Sequence, residues 1–243
     1  STNSTAATVD ASGHTGTLTI DLGQLGANEE FSANKLTGVD VIRLSTGSGD
    51  DDTIQNIMTG ASVYVDGIEN ATNELTLDPL GTGVSDVMNL TLAHATAATA
   101  IDLNALVLDG FETANITSGG TNSATVTVVN VLDDIAGLST DTTINVSGDI
   151  RLKATAVENT WTTITSTNTA GIDFSVDSGG GLTFTGGAGP DRLELDTVAD
   201  LTAADTLTGG DGADTLAFTA VPSALSALQL GYFSGFEKIE FVE

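Results

Sequence analysis

A chain of 243 residues that sets 6 Lys and Arg against 33 Asp and Glu, for a formal net charge of −27, excludes a nucleic-acid partner, because phosphate binding needs clustered cations. It has no cysteine, which removes disulfides, thiolate metal sites and cysteine nucleophiles. Its composition, 40% hydrophobic and rich in Val, Ile and Thr, specifies a folded chain once its self-repulsion is neutralised, for which divalent cations are the obvious agents.

From the N-terminus, Ser1-Thr2-Asn3-Ser4-Thr5 has neither the charged start nor the apolar stretch of a signal peptide, and the chain reads as a mature product or a fragment. No apolar run approaches the roughly 18 residues that would span a bilayer, so no transmembrane segment is expected. Alternation of period two then marks strands in turn: Leu18, Ile20 and Leu22; Val63 and Val65; Met88, Leu90 and Leu92; Val126, Val128 and Asn130; Ile150, Leu152 and Ala154; Ile172, Phe174 and Val176. A turn or two of helix is expected only at Ala93 to Ala100 and at Ala224 to Leu228. The class is all-β.

Two repeats punctuate these strands. A Gly-apolar-acid step recurs at Gly38-Val39-Asp40, Gly67-Ile68-Glu69, Gly110-Phe111-Glu112 and Gly235-Phe236-Glu237. In the last copy Phe236 is out of phase with Ile239 and Phe241, which predicts a bulge or corner between them. The second repeat aligns Thr185 to Leu195 with Thr208 to Phe218, gap-free, at an offset of 23 residues. Recurrence of this kind predicts a β-solenoid or parallel β-helix, with β-roll-like turns toward the C-terminus; a β-sandwich is the alternative for the first part. Residues 1–160 form a β-rich assembly region, and residues 161–243 a solenoid region in which Leu193 stacks on Leu216 and Leu195 on Phe218.

The second repeat carries the chemistry. Gly-Gly-x-Gly-x-Asp-x-Leu-x, at Gly186 to Glu194 and Gly209 to Ala217, is the calcium-binding nonapeptide of the parallel β-roll. Calcium takes six to eight oxygens; glycine loops can turn carbonyls inward while Asp supplies charge. The expected ligands are Asp191 and Asp214, with carbonyls of Gly187, Gly189, Gly210 and Gly212, and with Asp211 as a weaker candidate because its counterpart is Ala188. Metal-free Asx turns are the alternative. Gly47-Ser48-Gly49-Asp50-Asp51-Asp52 resembles a third copy, adding Asp50, Asp51 and Asp52 as candidates, with a solvated acidic turn as the bland reading.

The paired nonapeptides, the Gly-Phe-Glu steps, the Thr-rich acidic composition and the missing cysteines resemble the calcium-dependent surface-layer (S-layer) proteins of Gram-negative bacteria that carry RTX-type repeats. The resemblance implies type I export without N-terminal cleavage, an extracellular place on the bacterial cell surface, Ca2+, and self-assembly into a homopolymer, sheet or filament. An adhesin or passenger module that binds another surface or a cell-surface polysaccharide would share these features.

Enzyme readings lack parts. His14 and His94 sit in no motif, and there is neither a nucleophile elbow nor a zinc or phosphate motif. A β-helical polysaccharide lyase would need a basic residue beside an acidic sugar, yet Lys35, Arg43, Arg151, Lys153, Arg192 and Lys238 look scattered, with only Arg151 and Lys153 sharing a strand face. The expectation is no enzyme.

Overall fold

A computed structural model describes residues 9–23, 30–44, 51–67, 69–81, 83, 85–137, 142–177, 179–219 and 225–242. The chain is a β-solenoid of about nine coils. One ten-stranded sheet, here the first sheet, runs through Thr19–Gly23, Val41–Leu44, Ser62–Val65, Val87–Leu92, Thr113–Ser118, Thr142–Gly148, Trp161–Ser166, Thr183–Gly187, Thr206–Gly210 and Phe233–Ser234. The second, also ten-stranded, runs through Glu30–Ser32, Asp52–Ile57, Glu69–Pro79, Asp102–Val107, Val129–Ala136, Arg151–Val157, Ile172–Val176, Arg192–Leu195, Thr215–Phe218 and Lys238–Phe241. The chain alternates between the sheets, and every pairing is parallel, as successive coils of one winding require.

Alternation in the sequence becomes stacking in the fold. Each strand sends every second side chain inward, and parallel register places like positions above one another. In the first sheet Met88, Ala114, Ile144, Ile164, Phe184, Leu207 and Phe233 form one inward column. In the second, Leu103, Leu132, Ala154, Phe174, Leu193, Leu216 and Ile239 form another. Residues from both belong to a single hydrophobic cluster, so the two sheets close over one core. Phe174 opposite Ala154 keeps that layer filled at constant thickness. Trp161 is buried and its indole N–H donates to the Ile135 carbonyl at 3.1 Å, tying one sheet to the other.

The solenoid covers the stretch for which a sandwich was the alternative, and both ladders continue across residue 160: Thr142–Gly148 pairs with Trp161–Ser166, and Arg151–Val157 with Ile172–Val176. Three local expectations change. Ala93 to Ala100 forms turns, where the His94 imidazole Nδ1 accepts from the Thr96 amide at 2.9 Å and closes the chain on itself. Near the C-terminus Ala224 lies outside the described residues, and the only described helical turn is Gln229–Gly231, after Leu225 to Leu228. Val126 is exposed and precedes its strand, which starts at Val129.

Candidate functional site

The two nonapeptides lie on adjacent coils at the same corner. Gly187 pairs with Gly210, Leu193 with Leu216 and Leu195 with Phe218, as the 23-residue offset requires. Between the flanking strands the chain must cross from one sheet to the other within four residues while lying almost against the coil beside it. Gly187 and Gly210 turn the corner at φ +103° and +109°, and a Cβ on Gly210 would stand 2.2 Å from the Gly187 carbonyl oxygen. Only glycine fits there.

The two aspartates close the corner. Asp191 is 1% exposed and Asp214 is fully buried. The Ile172 amide donates to Asp191 Oδ1 at 2.7 Å, the Asp191 amide donates to Asp214 Oδ1 at 2.7 Å, and the Asp214 amide donates to Glu237 Oε2 at 2.8 Å. Each coil thus supplies a carboxylate to an amide of the previous coil at the point where that coil enters the second sheet. Glu237 comes from the last Gly-apolar-acid step, so the two repeats read separately in the sequence end in one structural position. Phe236 packs in the corner against Phe184 and Phe233, and the strand proper starts after it at Lys238.

The same device recurs elsewhere. Asp40 accepts from the Leu18 amide at 2.8 Å, Glu112 from the Asp86 amide at 2.7 Å, and Asn130 from the Ile101 amide at 2.9 Å. Asp205 Oδ1 accepts from both Gly181 and Leu182 at 2.7 Å. Sequence reading missed this role; its signal was an acid or Asn standing just before, or early in, an alternating run.

One oxygen of each nonapeptide aspartate is left over. Asp191 Oδ2 and Asp214 Oδ2 are buried and have no hydrogen-bond partner. The energetic consequence is visible in the pKa of Asp191, pushed up to about 7 from the ordinary 3.8 by burial; the Ile172 amide opposes the rise, the Asp214 carboxylate adds to it, and Arg151 opposes it. Burial also raises Asp214, against the Asp191 amide and with help from the carboxylates of Glu237 and Asp211. A buried carboxylate in this state either holds a proton or meets a cation.

The donors fit a hard cation in kind. Two buried orphan oxygens stand on stacked loops whose remaining donors are backbone carbonyls, and such a set selects calcium over thiophilic metals. The carbonyls would carry much of the coordination, because no group of three or more His, Asp or Glu side chains among the described residues is arranged to hold a metal. Asp211 is exposed, with its amide donating to the Gly187 carbonyl at 2.6 Å, so that oxygen is already in use.

The third Gly-rich turn stands apart. Asp50 lies outside the described residues. Asp51 is exposed and accepts from the Glu74 amide at 3.0 Å, while Asp52 is buried at the head of its strand, in register with Leu75. Six strand steps of the second sheet separate Asp52–Ile57 from Arg192–Leu195, or roughly 29 Å at the usual inter-strand spacing. These aspartates do not join the pair at 191 and 214.

The cations are not scattered. Lys153, Asp173, Arg192, Thr215 and Lys238 occupy one register column on the outer face of the second sheet, with Arg151 two residues before Lys153 on the same face. Arg192 is surrounded by Asp173 at 3.3 Å, by Glu240 at 3.5 Å and by Glu194. On the outside of the first sheet Asn89, Asn115 and Asn145 form a ladder in which each amide nitrogen reaches the previous side-chain oxygen at 2.9 Å. No protein-family model, curated protein or solved structure matches the chain.

Proposed function

We propose that this protein is an extracellular structural solenoid of a bacterial cell surface that assembles with copies of itself and is stabilised by calcium at the Gly186–Asp191 and Gly209–Asp214 corner. The observation that carries the reading is the stacked pair of buried carboxylates, each with one oxygen unanswered, in a chain of net charge −27. An ion between the loops would be held by Asp191 and Asp214 with carbonyls of Gly189, Gly210 and Gly212. It would supply the counter-charge that neither loop contains. Because it would bind the folded corner and not the unfolded chain, it would stabilise the native state by mass action. Stacked coils on one continuous core then present the same surface on every copy, which suits a lattice or filament.

The adhesin reading shares the fold and the ion and differs only in the partner. Electron microscopy of negatively stained protein in millimolar calcium separates them: ordered homopolymers that disperse in chelator are expected, and dispersed monomers in both conditions favour the adhesin. The ion itself is tested by Asp214→Asn, which keeps the oxygen that accepts from the Asp191 amide and deletes the charge. The variant is expected to be less stable than the parent in calcium by about 1–3 kcal/mol, the ordinary cost of losing a charged partner at a buried site, and to lose most of that deficit in chelator, where parent and variant each bury one unanswered polar atom. A deficit of the same size in calcium and in chelator sinks the metal assignment.

A further inference from the structure

The outer face of the second sheet is divided along the solenoid axis. Between Arg43 and Arg151 the sequence has no Lys or Arg. Within that stretch Glu74, Asp78, Asp102, Asp133 and Asp134 point outward from three consecutive strands. Their setting disfavours charge: burial and the carboxylates of Asp109 and Glu30 raise the pKa of Asp78, burial and Asp133 that of Asp102, and burial with Glu158 and Glu74 that of Asp134. None of them meets a Lys or Arg among the described residues.

The next coils on the same face hold four of the chain's six basic residues, Arg151, Lys153, Arg192 and Lys238. Here the acids are already answered. Asp173 is shared by Arg151 at 3.8 Å and Arg192 at 3.3 Å, and Glu240 by Arg192 at 3.5 Å and Lys238 at 2.8 Å. Lys153 is exposed and forms no ion pair within the described chain, and the Lys238 side chain is 60% exposed. One end of this β face therefore carries unanswered acids and the other carries the cations, Lys153 without an ion pair in the described chain and Lys238 shared with Glu240.

We propose that two copies of this chain dock antiparallel through this face, with the two-fold axis between the strands of Asp133 and Lys153, so that Lys153 of each copy lies over Asp133 on the other, Arg192 over Glu74 and Asp78, and Lys238 over Glu30 in the first strand of the sheet. A two-fold arrangement satisfies both halves at once, because the acidic end of each copy meets the basic end of its mate. A parallel arrangement would set acid on acid. Complementary charge fixes the register and partner more than it adds affinity, and calcium lowers the overall repulsion between copies of charge −27. The proposal rests on the self-assembly reading above and names its interface.

The test mixes equal amounts of isotopically light and heavy protein in calcium, links touching carboxylates and amines with a zero-length carbodiimide, and maps the mixed-isotope peptides. Links from Lys153 to Asp133 or Asp134 and from Lys238 to Glu30 are expected. Lys153→Glu with Lys238→Glu should weaken association at least tenfold, and adding Asp133→Lys and Glu30→Lys to the same chain should restore it. Association that persists in the double variant with links elsewhere overturns this interface and leaves self-assembly standing. Wild-type protein that stays monomeric in calcium overturns both.

Discussion

The coils up to residue 150 and those after it reach the same cross-section by different electrostatics. In the earlier coils of the second sheet, outward carboxylates such as Asp78, Asp102 and Asp134 each bury an oxygen with no partner and no cation nearby. In the later coils Arg192 gathers Asp173, Glu194 and Glu240, and the remaining burden sits in one corner, on Asp191 and Asp214. The core is indifferent to this division: Leu103, Leu132, Ala154, Phe174 and Leu193 form one column through both. Packing sets the architecture, and charge is distributed over it afterwards, as the non-directional hydrophobic term allows.

The largest expected effect tests whether the regions are one body. Phe174→Ala in the later coils should cost about 3–5 kcal/mol and Leu103→Ala in the earlier ones about 2–5 kcal/mol, as truncations of fully buried side chains. With a shared core, either substitution lowers a single unfolding transition seen by calorimetry. Two transitions, each responding to only one substitution, would separate residues 1–160 from 161–243 as independent units and confine the comparison to neighbours.

Acidity gives the next effect. Asp191 titrates at about 7 in the fold and near 3.8 when unfolded, so between those values the folded chain binds more protons than the unfolded one. Stability is therefore greatest at low pH and falls as pH rises through about 7. At about 1.4 kcal/mol per pH unit the loss from this group is on the order of 4 kcal/mol. Asp78, Asp102 and Asp134 act with the same sign. In chelator, thermal unfolding should thus show a more stable protein at pH 5 than at pH 8. In calcium the part due to Asp191 and Asp214 should vanish and the part due to the earlier coils should remain. An identical pH dependence with and without calcium would erase the distinction between the corner and the rest.

Much of the fold was legible because period-two alternation and inward burial are the same fact seen twice; Met88, Leu90 and Leu92 are each buried as their spacing demands. The repeat was legible only where neighbouring coils are equally long. From Ala114 to its partner Ile144 the coil takes 30 residues, and from Ile144 to Ile164 it takes 20. Loops of unequal length absorb the difference, so one offset of 23 was visible and the other coils were not. At the corner, residue types revealed Asp191 and Asp214 but not their bonds to the amides of Ile172 and Asp191, since those depend on which coil lies alongside. The gathering of Lys153, Arg192 and Lys238 was invisible for the same reason: they are neighbours only through register.

The smallest effect concerns the charge network that distinguishes the later coils. Arg192 is about one-quarter exposed, with Asp173, Glu194 and Glu240 around its guanidinium. Its stem lies along the sheet, so removing the whole side chain would also remove packing. Arg192→Met keeps the stem and deletes the charge. Partly exposed ion pairs are screened, and each is worth about 1 kcal/mol or less; deletion leaves Glu194 without a cation, while Asp173 keeps Arg151 and Glu240 keeps Lys238. The expected loss is therefore about 1–2 kcal/mol in low salt, measured by urea unfolding, and it should shrink in 1 M salt, where the Debye length falls to about 3 Å. A loss that does not change with salt would show that Arg192 contributes through packing, and the later coils would then differ from the earlier ones in sequence but not in the physics that holds them.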